Sequence, residues 1–554
     1  MEKRAIIAVV LSLIILVAYQ HFFAPPPPPP EKAATSQEKT PAATKPGNET
    51  TAATPAAGQT AAATAPAAQP LQITAEPGKD VIIETPLYTA VFDTRGARLK
   101  DWRVKKYLDK QGEGAKPIDL AAEGLGEKRP FGLEFTEANF PFSPEANFQV
   151  DTESLKLGPE KDKGTIAFSW DSPEGLRVIQ ELTFHADGYR VEINLKMLNT
   201  SSHPLEGRPG YVWNGKIHVA PDSGGMACMP GSGGSSGAEV PPFTTLVKKE
   251  LHEIEIKDLK EDKRFTQNVQ WGGFQNKYFL AALVPQKSEG TELILKKVSD
   301  LAGALHIAGP KAQLQPGTQF AQGYIMYLGP KDLDILKSFN YDLDRALDFG
   351  WFDIVAKPMA YVMKFFYKYT GNWGLAIIFL TVLIKILFWW PTHISYKSMK
   401  EMKKIQPEMV KLKEKYKDDK EKLNKETMDL YKRYKVNPAS GCLPMVIQIP
   451  IFFALYKVLL YSIEIRHAPF YGWIHDLAAA DPYYISPILM GASMFIQQWM
   501  TPSTGDPTQA KMMLIMPVVF TFMFLSFPTG LVIYWFFNNI LSIGQQIYIN
   551  KHST

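Results

Sequence analysis

Apolar residues are spread very unevenly along this 554-residue chain. They gather into six long runs: Ala5 to Tyr19 with Phe22 and Phe23 beyond it, Asn372 to Trp390, Cys442 to Tyr461, Tyr483 to Met500, Met512 to Phe527, and Leu531 to Ile549. Each approaches the ~20 residues that a helix needs to cross hydrocarbon, so the pattern predicts six transmembrane helices. Between the first run and the second the period changes to two. "LYTAVFDTRGARLKDWRV" reads as two strands around Thr94-Arg95-Gly96, and "GLRVIQELTFHADGYRVEINLKML" repeats the arrangement around Asp187-Gly188. Further runs such as "YFLAALVP" and "ELILKKV" continue to Tyr327. The fold class expected is an α + β membrane protein with a large, mainly antiparallel β-sandwich.

The pattern divides the chain into five parts. Residues 1–24 carry Lys3 and Arg4 ahead of an apolar core and read as a signal anchor; no clear A-x-A site precedes Pro25 to Pro30, which favours retention over cleavage. Residues 25–75, rich in Pro, Ala and Thr, lack the large apolar side chains that would offset chain ordering and read as a disordered tether. The sandwich occupies 76–330. Residues 331–370 form a linker and a helix in which aromatic residues mix with Lys357, Lys364 and Lys368, a composition suited to lying along a membrane surface. Residues 371–554 form a five-helix core interrupted by a basic segment, 392–440. There Met399, Met402, Ile405, Met409, Leu412 and Tyr416 recur at helical steps, Asp418-Asp419 interrupts, and Leu423, Thr427, Leu430 and Tyr434 resume, which predicts a helical hairpin.

Charge sets the orientation. Lys and Arg outnumber Asp and Glu between Thr392 and Ser440, whereas Ser462 to Pro482 has few basic residues, so the hairpin and both termini belong in the cytoplasm and the sandwich outside it. The hairpin's charge fits a solvated helix pair near anionic headgroups and equally a docking surface for an incoming chain or a ribosome. A net charge of +4, concentrated in one stretch, argues against a nucleic-acid substrate. The two cysteines, Cys228 and Cys442, fall in different compartments and predict no disulfide. The histidines of the sandwich lack metal-ligand spacing, and "GSGGSSG" at 231–237 lacks the G-K-[ST] ending of a phosphate loop and reads as a surface loop. No cofactor is expected.

The polar residues inside the apolar runs are the candidate chemistry. Lys385 sits where an unpaired cation costs about 2.5–3.5 kcal/mol, Thr381 lies one turn before it, Gln448 is inside the next run, and Asn538-Asn539 and Gln545-Gln546 lie in the last. None of the five C-terminal runs offers a carboxylate at comparable depth. Either Lys385 snorkels towards Trp390, about 8 Å away at helical rise, or these groups turn inwards around a water-filled groove; the accompanying amides favour the groove. The short run Met512 to Phe527, closed by Pro528-Thr529-Gly530, favours local thinning of the bilayer.

At "GNWG", "VNPASGCLPMVIQIPIFFALY", "FYGWIHDLAAADPYYISPILMG" and "FPTGLVIYWFFNN" the chain resembles the YidC membrane protein insertases of Gram-negative bacteria, and the resemblance covers nearly its whole length. It implies a non-enzymatic insertase and folding chaperone of the inner membrane, with a periplasmic sandwich and a hydrophilic groove open to the cytoplasm and lipid. By resemblance the groove is lined by Lys385, Thr381, Gln448, Tyr534, Trp535, Asn538 and Asn539, and a hydrophobic slide for the substrate's apolar segment by Met445, Ile449, Pro450, Met516 and Phe520. The partners implied are newly made inner-membrane proteins, membrane lipid, the Sec translocon, and a ribosome and targeting receptor at the hairpin. Lys385 stands where the family usually has arginine, which keeps the charge and loses the five-donor fork. Trp535 stands where an aromatic hydroxyl is common, and no long basic extension is expected after Asn550. The rival class is a secondary transporter with the sandwich as its receptor domain; it would need repeated halves and a carboxylate relay, which the sequence does not show.

Overall fold

A computed structural model describes residues 78–121, 130–216, 241–299, 302–417, 419–434, 436, 443–501 and 507–552. The expected anchor and tether, the 231–237 loop and both cysteines lie outside the described residues.

Alternation builds the sandwich. Strands Leu176–His185 and Arg190–Asn199 bury every second side chain and pair antiparallel in the register Val191↔Phe184, so one face of each is apolar. They belong to a nine-stranded sheet; a second sheet of eleven strands has Leu205–Lys216 paired on its two sides with Phe131–Thr136 and Ala302–Ala308. Pairing is antiparallel throughout except where Asp80–Glu84 meets Ser154–Lys156. The two apolar faces meet through aromatic rings: Phe92 lies 6.2 Å from Phe168 and 5.9 Å from Phe184, and Tyr211 lies 5.2 Å from Tyr324 and donates to Gln180 at 3.0 Å. Full burial of such a ring contributes about 1.5–3 kcal/mol, so these contacts dominate the domain's cohesion. The turn before strand Arg98–Leu108 requires glycine, since Gly96 has φ +77° and a Cβ there would stand 2.3 Å from the Pro144 carbonyl.

Nine helices follow among the described residues. They are α1 (Leu333–Ser338), α2 (Asp353–Thr370), α3 (Trp373–Leu387), α4 (Trp389–Lys415), α5 (Lys420–Arg433), α6 (Leu443–Tyr461), α7 (Ile485–Met500), α8 (Pro507–Phe524) and α9 (Thr529–His552). Helix α2 packs on α3 and α6, and α9 packs on α3 and α7, while α7 touches α8. The "GNWG" string accounts for the corner between α2 and α3. Gly371 ends α2 in the left-handed region at φ +63°, Asn372 caps α3 by accepting the Leu375 N–H at 3.1 Å, and Trp373 stacks on Tyr367 at 4.0 Å. Gly374 leaves room for the Phe470 ring, which a Cβ would approach to 2.1 Å.

The second apolar run does not continue straight. Helices α3 and α4 meet at Phe388 with a bend of 65°. Pro391, in the first turn of α4, is the physical cause: it lacks an N–H for the Leu387 carbonyl, and its ring would collide with that carbonyl in a continuous helix. Among the described residues no single helix is long and apolar enough to cross a membrane, and only this bent pair passes jointly by length and composition. The apolar parts of α6 and α8 are short, Val446–Tyr461 and Met513–Phe524, and the amides of α9 dilute its hydropathy. Helix α2 also differs from expectation. Its outward side exposes Trp351 just before it, then Ile354, Phe365 and Tyr369, but Lys357 pairs with Asp353 at 2.6 Å and Lys364 turns into the protein.

Candidate functional site

The last helix carries the polar groups at four-residue steps. Tyr534, Asn538 and Ser542 are all buried on one face of α9, a stripe about 12 Å long. Helix α3 crosses this stripe and brings Lys385 to it: the ammonium donates to Ser542 Oγ at 2.7 Å, and that hydroxyl donates to the Asn538 carbonyl at 2.7 Å. Lys385 thus bonds to α9, and Trp390 lies beyond the end of its helix, in α4. Among the described residues it forms no ion pair. Tyr396, from α4, lies near the same Ser542 and near Gln497 of α7. On the neighbouring row, Asn539 Nδ2 donates to Ser493 Oγ at 2.9 Å, and Ser493 donates back to the Met490 carbonyl at 2.6 Å. One turn up the stripe, the Gln448 amide of α6 bonds to the Tyr534 hydroxyl.

The residues expected from the sequence therefore divide into three groups. Lys385, Asn538 and Asn539 come together with Ser542, and Gln448 with Tyr534 extends the stripe. Thr381 is buried one turn from Lys385, but its hydroxyl is satisfied by the Ile377 carbonyl at 2.7 Å in its own helix. Trp535 faces away from the polar groups. Its ring lies 4.8 Å from Phe452, 5.4 Å from Phe524 and 6.1 Å from Phe520, inside an aromatic cluster between α6 and α8. Of the slide residues, Phe520 belongs to that cluster, Ile449, Pro450 and Met516 are exposed on α6 and α8, and the Met445 side chain lies outside the described residues.

Gln545 and Gln546 serve as braces. Their amides donate to the Trp389 carbonyl at 3.2 Å, in the first turn of α4, and to the Met500 carbonyl at 3.1 Å, one of the last carbonyls of α7, which lack a partner within the helix. Two buried acceptor atoms, Asn538 Oδ1 and Gln546 Oε1, have no hydrogen-bond partner among the described residues. Sequence reasoning missed Ser493, Ser542, Tyr396 and Gln497. The available signal was the spacing of Ser542, four residues after Asn538, on the face that Lys385 had to meet.

These helices and this stripe define a class: an apolar helical core with an internal polar strip headed by one cation, joined to a large β-sandwich. A family model described as "60Kd inner membrane protein" matches residues 365–554, and one described as "YidC periplasmic domain" matches residues 80–362. The membrane protein insertase YidC of Syntrophus aciditrophicus is 46% identical over 479 residues, covering 86% of each chain. That of Geotalea uraniireducens is 44% identical over 474 residues, covering 85% of this chain and 87% of the other. A crystal structure of an active YidC insertase with its first transmembrane domain resolved is 18% identical, with a TM-score of 0.37, over 87% of this chain and 96% of that one. The chain belongs to the YidC family of membrane protein insertases. It is an inner-membrane protein with a β-rich periplasmic domain.

Proposed function

We propose that this chain inserts polypeptides into the bacterial inner membrane and assists their folding there, with the Lys385 stripe receiving the polar or acidic flank of the substrate. The observation that carries the reading is the half-buried Lys385 ammonium held by a hydroxyl, with no carboxylate paired to it among the described residues, which leaves positive charge to act on a passing chain. The apolar segment of the substrate moves along the exposed Ile449, Pro450 and Met516 with the aromatic cluster around Phe520 and Trp535, and enters lipid under the hydrophobic effect. No bond is made or broken, so the activity is not enzymatic and needs no cofactor.

In this reading the chain has six spans, counting the apolar run at its start and treating the bent α3–α4 pair as one span that runs into the cytoplasmic hairpin α4–α5. Both termini are cytoplasmic. Newly made inner-membrane proteins are the substrates; the Sec translocon, a ribosome and a targeting receptor are partners consistent with the basic hairpin and the sandwich.

The test reconstitutes the protein in liposomes and scores protease protection of a single-span substrate with an acidic or a neutral translocated flank. A carboxylate about 7 Å from the ammonium, at an effective dielectric of about 30, is attracted by about 1.6 kcal/mol. Lys385→Met should therefore lower insertion of the acidic-flanked substrate by roughly tenfold while sparing the neutral one, and Lys385→Arg should retain it. Equal insertion of both substrates by wild type and Lys385→Met would refute the assigned role.

A further inference from the structure

Lys364 is surrounded by acids. It is mostly buried on the inward side of α2, and its three ammonium protons meet three carboxylates: Asp332 at 3.2 Å, Asp334 at 2.8 Å and Glu464 at 2.9 Å. These come from two distant places. Asp332 caps α1 where the last strand leaves the sandwich, accepting the Asp334 and Ile335 N–H groups, and Asp334 follows it; Glu464 lies just after α6. Burial lowers the affinity of Lys364 for its proton, but the carboxylates outweigh it and hold the amine well above the usual lysine range. A cavity of about 20 Å³, room for one water, adjoins the cluster between Lys331, Met363, Trp373 and Tyr461.

A second contact ties the same segment to the sandwich. Arg466 donates to the Leu108 carbonyl at 2.6 Å and the Asp109 carbonyl at 3.0 Å, at the turn after strand Arg98–Leu108, and lies over the Tyr278 ring. Gln111 of that turn donates to the His467 and His475 carbonyls at 3.2 and 2.9 Å. The clamped segment then reaches the functional helix. Its Leu477 carbonyl accepts the Gly530 N–H at 2.9 Å, and its Ala479 carbonyl accepts both the backbone N–H and the hydroxyl of Thr529 at 2.8 Å. Thr529 and Gly530 are the first residues of α9, one turn before Tyr534.

We infer that Lys364 is a positioning residue for insertion: by gathering Asp332, Asp334 and Glu464 it locks the segment 463–481 between the sandwich and α2, and that segment sets the height of α9 and its polar stripe. The sandwich is thereby a brace for the groove. The inference rests on the function proposed above.

The test uses the full chain in liposomes and compares wild type, Lys364→Met and Lys364→Arg by two readouts: insertion of the acidic-flanked substrate, and amide hydrogen exchange along the chain. Lys364→Met should speed exchange about tenfold in 463–484 and in the first turn of α9, leave strand Arg190–Asn199 unchanged, and lower insertion several-fold. Lys364→Arg should restore both to within twofold. Wild-type exchange and insertion in Lys364→Met would overturn the inference, and so would faster exchange spread evenly over the whole chain. If Lys364→Met does not accumulate, Glu464→Gln, which removes one carboxylate at constant size, is judged by the same criteria. Failure of wild type to insert would refute the proposed function itself, while the exchange pattern would still decide whether the lock exists.

Discussion

Replacing Asp481 by asparagine tests how the segment before α7 is held. Asp481 is buried and its carboxylate collects three donors: Tyr483 N–H at 2.9 Å on one oxygen, Ser486 N–H at 2.7 Å on the other, and the Trp473 indole N–H at 3.2 Å from both, while its own backbone carbonyl accepts Tyr484 N–H. Tyr484, at φ +57°, offers α7 no side-chain cap, so the carboxylate three residues earlier caps the helix from a distance. Asparagine keeps one acceptor and turns an NH₂ towards a backbone N–H. The loss of a charge-assisted bond, about 1.5–3 kcal/mol, and of the favourable charge at a helix N-terminus, about 0.3–1 kcal/mol, sums to about 2–4 kcal/mol. Thermal unfolding in detergent at pH 7 should fall by about 2–4 °C. The pH dependence has a definite sign. Burial raises the Asp481 pKa, but the Ser486, Tyr483 and Trp473 donors outweigh it and hold the carboxyl below the usual range. Its contribution is therefore complete above the unfolded value of about 3.9 and disappears as pH falls through the folded one. An Asp481→Asn variant that melts with wild type at pH 7, or a difference that persists undiminished down to pH 2, would refute the reasoning.

Gly374→Ala should destabilise the protein by about 1–3 kcal/mol, because its Cβ meets the Phe470 ring at 2.1 Å; a melt of Gly374→Ala with Phe470→Ala should recover part of the loss, and additive effects would contradict the clash. Ser542→Ala removes the hydroxyl that receives the Lys385 ammonium and should cost about 1–3 kcal/mol in unfolding free energy, with Ser542→Thr close to wild type; equal stability of all three would mean that the contact is incidental.

How much of this could be read from the sequence depends on the range of the interaction that decides each feature. The hairpins around Thr94-Arg95-Gly96 and Asp187-Gly188 were legible because a strand's two faces are written in adjacent residues, and the paired strands show the expected alternation. The five C-terminal apolar runs correspond to helices for the same local reason. The break at Phe388 was less legible, since the run of apolar residues passes through it and only Pro391 marks the place. Ser542 went unnoticed because a serine in an apolar run is unremarkable until a crossing helix brings it a cation. Gln545 and Gln546 were conspicuous and were read as cavity lining, but their partners are carbonyls at a helix end and a helix break that no local pattern identifies.

The two lysines make the same point about charge. Lys364 and Lys385 are each flanked by apolar and aromatic residues, and from composition Lys364 belonged at the headgroups. The fold separates them through the long-range supply of carboxylates. Three reach Lys364, one of them 100 positions away in the chain, and a cation so saturated can only hold structure together. Lys385 receives a hydroxyl, which satisfies one donor and cancels no charge. A buried cation whose field remains unspent costs the folded protein stability unless something outside it supplies the negative end. In the function proposed above, a substrate that arrives with an acidic flank supplies that end, and only during its passage.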